Sequence, residues 1–365
     1  MKLVFVTQEV DPGHPVLAQT VDLARALSAR VDELAVVARD VNWEEIPANV
    51  SVRTFEAPGQ LRRGVAFERS FAAALPGADA VFVHMVPEFA ILAAPLTRLR
   101  RLPLLLWYTH WHVSRQLRLA ARLASVVLSV DPSSFPIATP KVRGIGHAID
   151  VDRFAAAPAA EHEGLRLLTL GRTARWKGLA TLLDAVSLAR SDGADVRLEI
   201  RGPSLSDDER AHRRELEQRI ASDALLQSHV QLLPSVARDQ VPALLAASDA
   251  LASPNEPRSG STFDKAVFEA AACARPVLST NASFAPLLGG LPLSLLAPPR
   301  DAGALASAIV AIAAADPALR AETGSLLRER VVAHHSLAHW ADSVLDVVSE
   351  VRSPRGTAAS ARAAG

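Results

Sequence analysis

The 365-residue chain balances 39 basic against 39 acidic side chains, and its 49% hydrophobic, 21% charged composition is that of a globular protein. Its length suggests two domains at about 150 residues each. Zero net charge with a pI near 7.2 argues against nucleic acid as a partner, and a single cysteine, Cys273, excludes an intramolecular disulfide, a cysteine zinc site and an iron–sulfur cluster.

The apolar start, Met1–Thr7, is ended by Gln8, Glu9 and Asp11 and is too short for a signal-peptide core. Leu3–Val6, Leu34–Ala38, Val50–Thr54, Ala80–Val83, Leu104–Trp107 and Val126–Val130 read as strands, several of them apolar without alternation. That is the pattern of a parallel sheet covered on both faces. Helical segments lie between most of them; Val16–Ser28 puts Leu17, Val21, Ala24 and Leu27 on one face. Arg62, Arg63 and Arg69 around Val65, Phe67 and Phe71 allow either a basic amphipathic face for an anionic membrane or a solvated helix over the sheet.

Phe154–Gly164 reads as a linker of small residues, after which the pattern restarts. Arg166–Leu170, Val196–Ile200, Val230–Leu233, Ala250–Ala252 and Pro276–Ser279 are the second set of strands. The quiet stretch Gly303–Ala315 is far below the roughly 20 residues that span a bilayer, so a cytoplasmic protein is expected, at most peripheral to the membrane. A last helix covers about Leu337–Val351. The expectation is an α/β chain of two Rossmann-like doubly wound domains, residues 1–155 and 156–336. The helix over 337–351 packs back on the first domain, and residues 352–365 form a disordered tail.

A dehydrogenase of this architecture needs G-x-G-x-x-G after a first strand. Here the corresponding turns read TQEVDPG and GRTARWKG, and Gly144–Ile149 has only two of the glycines, so a dinucleotide cofactor has little support. Three segments carry chemistry instead. In Gly171–Arg172–Thr173–Ala174–Arg175–Trp176–Lys177–Gly178, two cations stand five apart between a strand and a helix whose buried face is Leu179, Leu182, Leu183 and Val186. Such a strand-end turn is an anion site, with a solvated basic loop as the alternative. In Ser259–Ala272, Gly260, Ser261 and Thr262 suit a loop that offers N–H groups to an anion. Ser261 is alternatively a helix N-cap facing Asp264. Lys265 and Glu269, four apart on a helix otherwise apolar nearly all round, are either a surface pair or part of a buried site. In Trp107–Tyr108–Thr109–His110–Trp111–His112, two histidines and three aromatics gather at a strand end, where a sugar-facing His stands well; no third ligand at metal spacing accompanies them.

These segments together make the chain resemble the GT-B glycosyltransferases, specifically glycosyltransferase family 4, the group 1 transferases. Gly171–Arg172 to Lys177–Gly178 looks like the family's G-R-x-x-x-x-K-G, and Leu198–Pro203 like its strand running into a glycine. Phe268–Val277 looks like LEAMACGxPVV, and Gly146–His147–Ala148–Ile149–Asp150 with Phe154 like the stretch before the interdomain linker. The opening Thr7–Asp11 to Pro15–Leu17 is similar to one bacterial branch. The resemblance implies two domains facing a central cleft and sugar transfer from a nucleoside diphosphate sugar, such as a UDP- or GDP-sugar, to a hydroxyl acceptor. The anomeric configuration would be retained, without cofactor or metal. Arg172 and Lys177 would hold the diphosphate and His110 would touch the sugar. Ser235 and Val236 would contact the base and Glu269 the ribose. Gly171, Gly260, Ser261, Thr262, Asp264 and Lys265 would complete the donor site. Asp11, Gly13, His14 and Trp111 would line the acceptor side. The family's E-x7-E has Ser261 in place of its first glutamate; Asp264, Glu256 and the Gly260–Thr262 loop are the alternatives for that contact. An impaired homologue acting as an interaction partner, and a GT-B epimerase or phosphorylase, are the rival functions.

Overall fold

The computed structural model describes residues 1–14, 17–157, 162–256 and 264–352. The chain divides into two compact units: unit 1 takes Met1–Ala148 and the chain from Leu337 onward, unit 2 takes Ile149–Ser336. Unit 1 holds β1 (Lys2–Val10), β2 (Glu33–Val41), β3 (Val50–Thr54), β4 (Ala80–His84), β5 (Leu104–Trp107), β6 (Val126–Ser129) and β7 (Val142–Gly144). They pair in the order β3-β2-β1-β4-β5-β6-β7, all parallel. Unit 2 holds β8 (Leu165–Leu170), β9 (Val196–Arg201), β10 (Val230–Leu233), β11 (Ala250–Ser253) and β12 (Val277–Ser279), in the parallel order β10-β9-β8-β11-β12. Strand order reverses between β1 and β4 and again between β8 and β11. In doubly wound sheets the crevice for ligands opens at the carboxyl ends of the strands beside such a reversal.

All the strands expected from the sequence are present. They are continuous apolar runs because helices cover both faces; Leu3, Val4, Phe5 and Val6 are all fully buried. β1 outruns its expected end at Val6, because Thr7, Glu9 and Val10 stay in register with Ala38, Asp40 and Val41 while Arg39 takes the charge of Glu9. β7 was not expected: it is three residues long, two of them the exposed Arg143 and Gly144. The first helix begins at Gln19, while Pro15 and Val16 lie outside the described residues.

One boundary differs from the expectation, and one pair of alternatives is decided. Phe154 is buried and its carbonyl accepts from Arg328 at 2.9 Å, so the stretch after it begins as an anchored part of unit 2. The division falls between Ala148 and Ile149, where the Ile149 N–H donates to the His335 carbonyl at 2.7 Å. Phe67 and Phe71 do not serve a membrane face. They belong to a core cluster in which Phe67 lies 5.3 Å from Phe55, 5.5 Å from Phe71 and 5.4 Å from Phe89 between ring centroids. The helix Gln60–Ala74 is thus the one over the sheet, with Leu61 and Val65 left exposed. Among the described residues no single helix is long and apolar enough to cross a membrane.

The helix Leu337–Arg352 packs within unit 1 and inserts Trp340, with no exposed surface, against Phe82 of β4 (5.7 Å) and Trp107 of β5 (5.8 Å). Replacing that indole with a methyl leaves a cavity under the centre of the sheet. Trp340→Ala should lower unfolding free energy by about 3–5 kcal/mol in urea titration. Trp340→Phe should cost far less, since the indole N–H has no partner to lose. Equal losses for the two would show that ring packing is not what holds this helix.

Candidate functional site

The first segment forms a turn at the carboxyl end of β8, pinned from both sides. A Cβ on Gly202, just past β9, would overlap the Gly171 carbonyl oxygen, so the two strand ends touch backbone to backbone. Gly178 has φ +64°, and a Cβ there would strike the Pro254 carbonyl after β11. From Gly178 the helix Leu179–Ser191 starts, with Leu179, Leu182, Leu183 and Val186 buried as expected. The Thr173 N–H donates to the Pro203 carbonyl at 3.1 Å, and its hydroxyl meets the Ser204 hydroxyl at 2.6 Å.

Lys177 is only 7% exposed. Its Nζ donates to the carboxylate of Asp264, which also accepts from Asn255 Nδ2 at 3.2 Å. The same ammonium lies 4.8 Å from the centre of the Trp176 ring. Burial pushes the Asp264 carboxyl up, but the Lys177 charge and the hydrogen bonds from Lys177 and Asn255 outweigh it and hold the group below the usual carboxylate range. Arg172 keeps 43% of its side chain exposed while its guanidinium sits 3.3 Å from Glu209. Glu209 is buried in the first turn of the helix Asp207–Ser222 and also accepts the Leu205 N–H at 2.6 Å. The two cations assigned to a diphosphate thus each have a carboxylate partner, which the sequence motif alone does not show.

The helix Lys265–Ala272 buries Ala266, Val267, Phe268, Ala270, Ala271 and Ala272. Lys265 and Glu269 pair at 3.3 Å with side chains 29% and 13% exposed, an i,i+4 pair in a half-buried setting. Asp264, not Ser261, stands at the N-cap position, which corrects the capping expectation. Gly260, Ser261 and Thr262 lie outside the described residues. Glu256, the other acid near this helix, is bound by Arg300 at 2.6 Å. Ser235 is exposed and Val236 half-buried in the loop after β10.

In unit 1, His110 is exposed three residues past the end of β5 and stacks on Trp111 with centroids 5.2 Å apart. Its Nδ1 accepts the His112 N–H at 3.1 Å, while Tyr108 Oη donates to the His112 carbonyl at 2.8 Å and fixes the loop. Beyond β1, Asp11 accepts from the Gly13 N–H at 2.9 Å and from Asn42 at 3.2 Å. His14 Nδ1 accepts the Leu17 N–H at 2.8 Å, which puts its proton on Nε2, 3.2 Å from Glu9. His84, at the end of β4, is a further histidine of unit 1, and it is buried. Burial pushes its imidazole down to about 4, so it is neutral at pH 7, with Nδ1 3.2 Å from the Thr7 hydroxyl. In the run VFVH it reads only as the last residue of a strand. Among the described residues no three His, Cys, Asp or Glu side chains gather as a metal-binding group.

The Lys177–Asp264 pair makes a pH-dependent prediction. Asp264 is lowered in the folded state, so its contribution to stability is complete above the ordinary carboxylate range and is lost as pH falls through its folded value. Lys177→Met removes the counter-charge and leaves a buried carboxylate that burial alone now pushes up. The variant should be about 3–5 kcal/mol less stable than wild type at pH 7. The deficit should shrink toward pH 4 as Asp264 takes up a proton, and Asp264→Asn in the same background should abolish that pH dependence in urea titrations. A deficit that does not change with pH would remove Asp264 as the partner.

Residues 164–315 match the family model described as glycosyl transferases group 1. A comparison with curated protein sequences finds no match. Among solved structures, sucrose-phosphate synthase from Thermosynechococcus elongatus superposes with a TM-score of 0.73 at 19% identity, covering 96% of this chain and 98% of that one. HepE from Anabaena, in complex with UDP and glucose, gives 0.71 at 19% identity over 96% of this chain and 100% of that one. A glycosyltransferase from Rickettsia africae gives 0.73 at 15% identity over 97% and 99%. The segment that contains the Gly171–Lys177 turn and the helix Lys265–Ala272 thus matches the group 1 glycosyltransferase model, and the chain has the GT-B fold.

Proposed function

We propose that this chain is a retaining glycosyltransferase that moves a hexose-type sugar from a nucleoside diphosphate sugar, a UDP-sugar first among them, to a hydroxyl acceptor. The observation that carries the proposal is the Gly171–Lys177 turn: two cations, Arg172 and Lys177, fixed at the carboxyl edge of β8, inside a segment that matches the group 1 glycosyltransferases. Solved structures of the same fold with UDP, with UDP and glucose, and with UDP-glucose support uridine as the base.

Arg172 keeps a solvent-facing side and can fork two phosphate oxygens while Glu209 holds the other side. Lys177 has three N–H donors, one of them on Asp264, and supplies a point charge. Glu269 takes the ribose hydroxyls, with Ser235 and Val236 on the base. In the reaction the bond from the anomeric carbon to the diphosphate oxygen breaks as the bond to the acceptor oxygen forms, through an oxocarbenium-like carbon. The departing diphosphate takes the acceptor proton, and the two cations stabilise the charge that grows on it. His110 and Trp111 offer an imidazole edge and an aromatic face to sugar, and Asp11, Gly13 and His14 serve the acceptor side.

Ser261 in place of an acid, with Glu256 taken by Arg300, favours one second reading: a homologue that binds the donor without transferring the sugar. Slow hydrolysis of UDP-glucose by the purified chain would dismiss it. The central test is a thermal shift with UDP, GDP, ADP, CDP and dTDP. At 100 times its Kd the preferred nucleotide should add about 2.7 kcal/mol of stability, with UDP giving the largest shift. Arg172→Ala should lose most of it. No shift with any of the five would overturn the proposal.

A further inference from the structure

Unit 2 has a cavity of about 330 Å³ at the amino ends of its strands, the opposite end of the sheet from the Gly171–Lys177 turn. Leu168 and Leu244 are among its apolar lining, and its polar lining includes Arg166, Arg197, Gln231 and His229. Arg166, Arg197 and Gln231 are the second residues of β8, β9 and β10, so they stand at the amino ends of three neighbouring strands. Arg166 and Arg197 are direct partners in the β8–β9 register. Like charges directly opposite each other on neighbouring strands repel, and among the described residues neither guanidinium has an acidic partner. Glu199, the one acid in the lining, is already bound by Arg201. His229 Nδ1 donates to the Leu225 carbonyl at 2.8 Å, which leaves Nε2 as an acceptor for a hydroxyl.

We propose that this cavity binds a small phosphate monoester, its phosphoryl group forked between Arg166 and Arg197 and its hydroxylated body beside Gln231 and His229. Two adjacent guanidiniums match a dianionic phosphoryl group in charge and geometry. The volume lies at the lower end of ligand pockets, about 300–1,000 Å³, which suits a sugar phosphate and leaves no room for a nucleoside diphosphate sugar. The site is independent of the donor-site assignment, since it shares no residue with the Gly171–Lys177 turn.

The test is calorimetric titration of the full chain with glucose 6-phosphate, glucose and inorganic phosphate. Glucose 6-phosphate should bind with one site per chain, at least tenfold more tightly than inorganic phosphate, and glucose should not bind. The double variant Arg166→Gln/Arg197→Gln should weaken glucose 6-phosphate at least tenfold without lowering the unfolding midpoint, because it removes a repulsion. Gln231→Leu, which keeps both charges, should weaken it less and covers the case in which the double variant does not fold. Arg172→Ala should bind as wild type; loss there would put the phosphate in the turn after β8 and overturn the proposal. No binding, binding unchanged in the double variant, or equal affinity for inorganic phosphate would overturn it as well.

Discussion

The turn after β8 depends on one buried contact, the ammonium of Lys177 on the carboxylate of Asp264, which joins positions 87 residues apart. On one side it fixes the strand-end turn that offers N–H groups and Arg172; on the other it fixes the start of the helix that carries Lys265 and Glu269. Taking two charges out of water is costly, and the Coulomb attraction offsets that cost only when the remaining donors and acceptors are satisfied. Here Asn255 supplies a further hydrogen bond to Asp264, and the Trp176 ring lies against the ammonium. Such a pair adds little net stability, but it admits one geometry, since any displacement leaves a buried charge uncompensated. That fits a site in which two loops from different crossovers have to hold a common register.

The same contact sets the electrostatics of the donor reading. A turn with two bare cations would bind any phosphate strongly and release it slowly. With Asp264 on Lys177 and Glu209 near Arg172, the local charge is close to balanced before a ligand arrives. On the proposed reading a diphosphate would gain from the remaining N–H donors of both side chains, while part of its charge would meet the two carboxylates. For a transferase the interactions that matter are those that strengthen as the leaving group gains charge. Pre-neutralised cations suit that better than free ones, because they bind a resting phosphate less and respond to added negative charge in full.

The architecture was legible because a parallel sheet covered on both faces needs unbroken apolar strands, and these runs are separated by helical periods of ordinary length. The misses have local causes. β7 is too short and too exposed to carry a pattern, and the end of β1 carries Glu9, whose charge is taken by Arg39. The G-R-x-x-x-x-K-G segment could be placed at a strand end from the sequence alone, since strand, turn and helix follow one another directly. What could not be read was the partner of each charge. Asp264 stood out only as a capping partner or a stand-in for the missing glutamate, and nothing in the sequence singled out Glu209, because both pairings depend on which crossovers are neighbours. Phe67 and Phe71 show the same limit: beside three arginines they fit a membrane face, and only the neighbouring Phe55 and Phe89 decide that they point inward.

Only four of the 39 basic residues are lysines, Lys2, Lys141, Lys177 and Lys265, and two of them have a structural reading. Lys141 donates to the carbonyls of Ala121, Arg122 and Ala124, at 3.4, 2.8 and 2.7 Å, closing the end of the helix Arg115–Leu123. A compact ammonium can aim three donors at three converging carbonyls, whereas a planar guanidinium cannot. At Lys177 the constraint is space. A Cβ on Gly171 would lie 3.0 Å from both Cε and Nζ of Lys177, so the chain already uses its smallest residue to make room for the narrower of the two cations. An arginine there would put a planar guanidinium, two heavy atoms larger, against the Gly171 backbone, the Trp176 ring and Asp264. Glycine at 171 and lysine at 177 are therefore one choice, imposed by the closeness of β8 and β9 at their carboxyl ends, and the motif spacing is the sequence trace of that packing.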